Sequence, residues 1–161
     1  MKRSTWLAIL AAVLIAGVYV VVFRRSDEGK IRAQLGALAA AVHAAPGENP
    51  LFRARRIQDT FARVFPADVQ IDVPGVHEGL EPRSQLVAFA AGAGIQYGTV
   101  ELRFDAVTVE LEKPQRRAWV TSTASAIGGD RGESREVVMR FVESEGEWRI
   151  TSIAVAGSGQ R

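Results

Sequence analysis

The sequence contains no cysteine, and histidine is nearly as scarce. Without cysteine the chain cannot form a disulfide, use a thiol nucleophile or build a cysteine-ligated zinc site. The two histidines, His43 and His77, lie far apart and lack spaced carboxylates around them. The only "GAG" stretch, at 92–94, has no following lysine and therefore lacks the pattern of a phosphate-binding loop. We expect neither a metal nor any other cofactor.

An excess of positive charge is also missing from most of the chain. The sequence has 20 Lys and Arg against 18 Asp and Glu, but four of the basic residues and none of the acids precede Ser26. The rest of the chain therefore carries 16 basic and 18 acidic residues, a net charge of −2. Without a cationic field a domain does not attract phosphate backbones, so we expect no nucleic-acid partner.

One long apolar run, "WLAILAAVLIAGVYVVVF" at 6–23, contains no charged residue. As a helix it would be about 27 Å long, close to the thickness of the hydrocarbon core of a bilayer. A cleaved signal peptide is the alternative, but bulky residues stand where its small-residue cleavage site would be. The run predicts an uncleaved membrane anchor within residues 1–25, followed by one domain over 26–161.

The basic residues around this run give two readings of its orientation. Arg24, Arg25 and the lysine and arginine that follow outnumber Lys2 and Arg3, which favours a cytoplasmic domain. A short basic tail before the first apolar run is instead typical of exported signal anchors. We favour the second reading, a single-pass inner-membrane protein whose domain lies on the periplasmic or extracytoplasmic side.

The apolar periodicity beyond the run changes from a helical to a strand pattern. It predicts helices at 27–44, 51–64 and 83–96, and strands at 68–73, 99–112, 116–127, 134–143 and 148–155. A loop rich in proline and glycine is expected between the first strand and the third helix. Helices followed by long antiparallel strands favour an α+β fold, with three helices packed on a strongly curved, mostly antiparallel sheet.

Three arginines of the second predicted helix, Arg53, Arg56 and Arg63, fall on one stripe. Such a stripe is either a solvated helix face or a site for a phosphate or an anionic lipid headgroup.

Three stretches resemble the nuclear-transport-factor-2-like superfamily, including its polyketide-cyclase-like (SnoaL-like) and ketosteroid-isomerase-like branches. "IRAQLGALAAAVHA" resembles the first helix, "FARVFPADVQIDVPG" the second helix and its following strand, and "GEWRITSIAV" the closing strand. The resemblance covers about residues 27–156. It implies a cone-shaped, cystatin-like layout in which a bent sheet wraps a long helix and leaves a pocket at the wide end. Many members dimerise through the sheet.

The alternation of apolar residues predicts which side chains would line that pocket. They are Val69, Ile71, Val73, Leu86, Phe89, Val100, Leu102 and Phe104. The ketosteroid-isomerase-like branch places its catalytic carboxylate immediately before the loop proline, and Val73 stands there in this chain. Asp72 comes one residue earlier, and a shift of one residue turns a side chain to the opposite face of a strand. Asp72 is therefore expected to face away from the pocket.

Two further residues are weak catalytic candidates. Tyr97 ends the third predicted helix and can reach the pocket rim, although a core or interface role is the simpler interpretation. Asp105 shares the parity of Glu101 and Arg103 and is expected on the sheet surface, unless a bulge changes that parity. We therefore favour a chain that is not an enzyme.

The strand "WVTSTASA" has two different faces. One carries small residues suited to close packing, and the other carries Trp119 with threonines and serine, which suits a partner surface. We expect a membrane-tethered, non-catalytic binding or scaffolding domain of a bacterial envelope, forming a homodimer or binding an envelope protein through the sheet face near Trp119. The alternative is a carrier of a small apolar ligand, or an isomerase- or cyclase-type enzyme, using the cone pocket.

Overall fold

Three helices and six strands follow the predicted order, with one strand added. A computed structural model describes residues 26–74 and 77–156. The helices are α1 (Asp27–Val42), α2 (Pro50–Val64) and α3 (Arg83–Tyr97). The strands are β1 (Asp68–Val73), β2 (His77–Pro82), β3 (Val100–Glu112), β4 (Arg117–Gly128), β5 (Arg131–Ser144) and β6 (Glu147–Val155).

The added strand β2 lies where the sequence predicts a loop. Its residues, "HEGLEP", include one large apolar side chain, Leu80, so they show no apolar alternation. β2 forms an edge of the sheet and pairs with β1 alone, which explains why it needs little apolar character.

The predicted membrane anchor at 6–23 lies outside the described residues. Within 26–74 and 77–156, none of the helices combines the length and the apolar character needed to cross a bilayer.

The six strands form one mixed sheet in the order β2-β1-β6-β5-β4-β3. β1 runs parallel to β6, and the other neighbouring strands are antiparallel. Two-residue turns join β4 to β5 and β5 to β6. In the second turn Glu145 and Gly146 both have positive φ, 56° and 82°, which matches the right-handed twist of the flanking strands. The predicted α+β class, with three helices and a mostly antiparallel sheet, is confirmed.

The core lies between α1, α2 and one face of the sheet, here called the inner face. α1 contributes Ile31, Leu35 and Leu38, and α2 contributes Ile57, Phe61 and Val64. Across from them the sheet buries Val69, Ala118, Val120, Val137, Met139, Phe141, Trp148 and Ile150. Burial of this apolar surface is the main favourable term in folding.

β3 contains a bulge that changes which of its residues face inward. The register with β4 shifts between Asp105 and Thr108, and Ala106 takes a positive φ of 51°. Before the bulge Phe104 packs against the core, and after it Val107 and Val109 do so. The apolar parity therefore changes from even to odd residues. The Arg32 guanidinium of α1 donates a hydrogen bond to the Val107 carbonyl at 2.8 Å, which satisfies a backbone group at the bulge.

Arg53 joins α2 to the other two helices. Its side chain is 5% exposed, and its guanidinium donates to the carbonyl oxygens of Ala90 at 2.6 Å and Ala91 at 3.0 Å in α3. A longer hydrogen bond of 3.5 Å reaches the Val42 carbonyl at the end of α1. Burial lowers the pKa of Arg53, while the nearby Glu48 carboxylate opposes that change. The Arg53 side chain remains positively charged despite its burial, as arginine side chains do in proteins.

Arg56, one turn later, binds the end of α1. The last turn of α1 has no basic residue of its own. Arg56 donates to the carbonyls of Ala41 at 3.4 Å and His43 at 2.7 Å, and it forms an ion pair with Glu48. The hydrogen bond from Arg56 holds the pKa of the Glu48 carboxyl below its usual value. Positive charge at a helix C-terminus is favourable, so Arg56 of α2 provides the cation that the last turn of α1 does not contain.

Alanine substitutions at two glycines of α3 test whether Arg53 needs the space beside Gly94. The comparison separates that effect from the general effect of replacing glycine by alanine in a helix. A Cβ at Gly94 would overlap the Arg53 guanidinium, whereas a Cβ at Gly92 would have no atom within 4 Å. Gly94→Ala should therefore lower the free energy of unfolding by about 1–3 kcal/mol, because it displaces a buried, hydrogen-bonded cation. Gly92→Ala, the matched control, should raise it by up to about 1 kcal/mol. Denaturant unfolding followed by circular dichroism measures both. Equal effects of the two substitutions would show that Arg53 does not need this space.

Candidate functional site

A partly open apolar surface lies between α3 and the inner face of the sheet. The side of α3 that faces the core carries Leu86, Val87, Ala90 and Ala91, yet none of its residues is fully buried. On the inner face of the sheet the partly buried side chains include Ile71, Phe104, Ala124, Ile153 and Val155. We call these nine residues the cone lining.

The residues predicted to line the pocket occupy three different environments. Val69 and Val100 are buried, so they belong to the closed part of the core. Leu86, Ile71 and Phe104 are brought together in the cone lining, and Val73 and Leu102 are also partly buried. The inward placement of Phe89 is wrong, because it is 66% exposed. The buried side of α3 centres on Leu86, Val87, Ala90 and Ala91, and helical geometry turns Phe89 away from it.

The three weak catalytic candidates lie on separate elements. Asp72 alternates with Ile71 on β1, and its carboxylate accepts a hydrogen bond of 2.7 Å from the Gln70 side chain, so it faces outward. Asp105 is exposed at the start of the β3 bulge. Tyr97 is 44% exposed, and its ring lies against Gly128, where a Cβ would come within 3.0 Å of the ring.

Tyr97 contributes to a separate groove of about 780 Å³ between α3 and the β4–β5 hairpin. Arg131, Asp130 and Glu133 of the hairpin line the same groove.

Few polar side chains reach the interior. The buried polar residues of the described chain are Arg53, Thr60 and Ser122, and none of them is a carboxylic acid. The Ser122 hydroxyl lies on the inner face and has no hydrogen-bond partner among the described residues. Over 26–74 and 77–156 no group of three or more acidic or histidine side chains is arranged to hold a metal ion. The interior therefore offers apolar contact rather than paired acid and base groups.

The predicted arginine stripe of α2 divides into two parts. Arg53 lies on the buried face with Ile57, Thr60, Phe61 and Val64, and Arg56 is bound to the end of α1. The interpretation as one solvated or ligand-binding stripe is therefore wrong for Arg53, whereas Arg56 is partly exposed and is paired with Glu48. The spacing of Arg53 to Ile57 and Phe61, four residues each, is the signal that places it on the buried face. Arg63 remains exposed.

The outer face of the sheet is a broad surface opposite the helices. One row of paired residues crosses all six strands, in the order Leu80, Gln70, Ser152, Arg140, Trp119 and Glu110. Trp119 is 39% exposed, and its indole N–H donates to Glu112 at 3.3 Å. The Arg140 guanidinium lies 6.0 Å from the centre of the indole ring. We call Trp119, Arg140, Thr121, Val138 and Ala154 the Trp119 face.

A second surface feature is a groove of about 480 Å³ between α1 and α2. Lys30 and Arg63 lie at this groove together with Gln34, Thr60 and Trp148. It is formed by the helices and the β5–β6 turn, so it is distinct from the cone lining beneath α3.

No protein-family model and no curated protein matches this chain. Solved structures do match its fold. A protein from Kribbella flavida has a TM-score of 0.61 at 19% identity, covering 84% of this chain and 93% of its own. A putative scytalone dehydratase from Novosphingobium aromaticivorans has a TM-score of 0.56 at 13% identity, covering 89% of both chains. An uncharacterised protein with a cystatin-like fold from Caulobacter vibrioides has a TM-score of 0.55 at 16% identity, covering 80% and 89%.

Proposed function

We propose that this chain, which has the cone-shaped α+β fold of nuclear-transport-factor-2-like and cystatin-like proteins, is a membrane-tethered binding or scaffolding domain of a bacterial envelope without catalytic activity. In this proposal it associates with a second copy of itself through the Trp119 face. The observation that carries the proposal is this broad outer sheet face, which presents a half-exposed tryptophan beside partly buried apolar side chains.

The arrangement of polar groups supports a binding role over catalysis. Acid–base catalysis requires a titratable side chain within hydrogen-bond reach of the reacting atoms. Asp72 and Asp105 point outward or lie on the exposed bulge, and the buried guanidinium of Arg53 is bound to backbone carbonyls. The cone lining consists of apolar side chains.

The composition of the Trp119 face supports a second copy as its occupant. Tryptophan and arginine are enriched where protein partners make their strongest contacts. The face includes Arg140, and the acids Glu110 and Glu112 border it on the neighbouring strand β3. A two-fold axis brings the same surface onto itself, so a face with both signs of charge can be complementary to its own copy.

Trp119→Glu should weaken self-association by at least about tenfold, because it places an unpaired charge where an aromatic contact is expected. Phe89→Glu, on the exposed side of α3, makes the same kind of change away from the sheet and should leave association unaffected. Sedimentation velocity over a concentration series measures both variants. A monomeric parent chain, or equal losses in the two variants, would contradict self-association through this face.

The proposed membrane tether is inferred from the uncharged run at 6–23, whose length matches the thickness of a bilayer. The full chain expressed in bacteria should remain in the membrane fraction after alkaline washing, and a chain beginning at Ser26 should be soluble. Protease treatment of spheroplasts should digest the domain if it is extracytoplasmic. Release of the full chain by alkaline washing would contradict the tether, and protection of the domain would contradict only its orientation.

A second function, a carrier or enzyme for a small apolar ligand, is favoured by the partly open cone lining. α3 covers the sheet without burying any of its own residues completely, and the side chains that it packs with are apolar. Native mass spectrometry of the chain should then show an added mass that is lost on denaturation. Val87→Trp should remove this mass by filling the space, and Phe89→Trp on the exposed side should retain it. A clean protein mass in the parent chain would count against this function.

A further inference from the structure

The groove between α1 and α2 has a composition that differs from the rest of the surface. Its walls come from the middle of α1, the last half of α2, the β5–β6 turn and the start of β6. Ala33 and Ala37 of α1, Val64 of α2 and Trp148 of β6 provide apolar surface. The volume of about 480 Å³ is that of a site for a small ligand or a lipid headgroup.

Two cations, Lys30 and Arg63, lie at the groove, and the interactions that each makes with neighbouring protein groups are weak. Lys30 forms an exposed ion pair with Asp27 at 3.6 Å, which is a weak interaction in water. Arg63 makes one long hydrogen bond of 3.4 Å, to the Asp59 carbonyl of its own helix. The acid at the groove, Glu147, has Arg149 3.5 Å away. Lys30 and Arg63 can therefore turn to an anion in the groove.

The groove also contains an unused hydrogen-bond acceptor. The Gln34 side-chain oxygen is buried and has no hydrogen-bond partner among the described residues. A buried acceptor without a partner is costly, and a ligand O–H or N–H group removes that cost when the Gln34 amide turns its oxygen into the groove. The neighbouring Thr60 is 5% exposed and supplies a further hydroxyl.

The position of the groove along the chain favours a membrane lipid as the source of this ligand. Lys30 follows Phe23, the last residue of the uncharged run, by seven residues. Seven residues span at most about 25 Å even when fully extended. If the run lies in a bilayer, as proposed above, Lys30 is held within reach of the headgroups at the surface of that bilayer.

We propose that this groove binds a phospholipid with an anionic, hydroxyl-bearing headgroup. Lys30 and Arg63 contact the phosphate, and the Gln34 oxygen accepts a hydrogen bond from the headgroup hydroxyl. The alanines, Val64 and Trp148 contact the carbon atoms of the headgroup and the adjoining glycerol. The proposal rests on the membrane tether for the source of the lipid, whereas the polar contacts depend on the groove alone.

The test uses the full chain in detergent micelles, titrated with defined lipids and monitored by native mass spectrometry. Phosphatidylglycerol is the main probe, and phosphatidylcholine tests the requirement for net negative charge. Phosphatidylmethanol has the same charge as phosphatidylglycerol but lacks its headgroup hydroxyls, so it tests the role of Gln34. Glycerol phosphate, a soluble headgroup without acyl chains, tests whether the ligand must be a lipid.

Lys30→Glu and Arg63→Glu should each weaken retention of phosphatidylglycerol by about tenfold. Arg55→Glu is the matched control, because Arg55 lies on the same helix, is exposed and does not line the groove. It should change retention by less than about twofold. Gln34→Leu should reduce the preference for phosphatidylglycerol over phosphatidylmethanol from about fivefold to near equality.

Three results would overturn the proposal. Equal losses in Arg55→Glu and Arg63→Glu would show general charge attraction rather than a site. Equal retention of phosphatidylcholine would remove the role of the cations. Competition by glycerol phosphate at the same concentration as phosphatidylglycerol would assign the groove to a soluble phosphate. The alkaline-wash experiment tests the tether separately, so failure of the tether and failure of the groove are distinguishable.

Discussion

The buried guanidinium of Arg53 is the interaction on which the arrangement of the helices depends. Removing a charge from water is costly unless its hydrogen-bonding groups find partners, and here backbone carbonyls of α1 and α3 accept from both terminal nitrogens of the guanidinium. The buried Nε–H has no partner among the described residues. The interaction fixes α3 relative to α2 although α3 buries none of its own residues completely. It also explains why Gly94 has no side chain, since a Cβ there would take the space of the guanidinium.

A second constraint, the bulge in β3, determines which side of a long edge strand meets the core. Without the shift between Asp105 and Thr108, the apolar residues at 107, 109 and 111 would face solvent. Bulges increase the local twist and bend of a strand, which suits a sheet that curves around a helix. Arg32 reaches from α1 to the bulge carbonyl of Val107, so the helix and the bend are fixed together.

These two constraints separate the surfaces available for binding. Arg53 and Arg56 are bound to backbone carbonyls, which leaves Arg63 as the arginine of the predicted stripe that is free to meet a ligand. The inner face is packed by helices, so the Trp119 face of the sheet remains outward. The surface proposed for a second copy lies on the sheet and the groove proposed for a lipid lies between the helices, so occupation of one does not block the other.

The sequence by itself determined the order and type of nearly all elements, since apolar periodicity and turn residues act locally. It also determined the outward direction of Asp72, because side chains alternate along a strand. Only the tertiary structure decided that the Arg53 guanidinium binds the carbonyls of α3, that β3 changes parity and that Phe89 is exposed. Each of these depends on which carbonyl, helix or strand lies opposite in space, a relation between residues distant in sequence. The groove between α1 and α2 is likewise formed by residues from three separate segments.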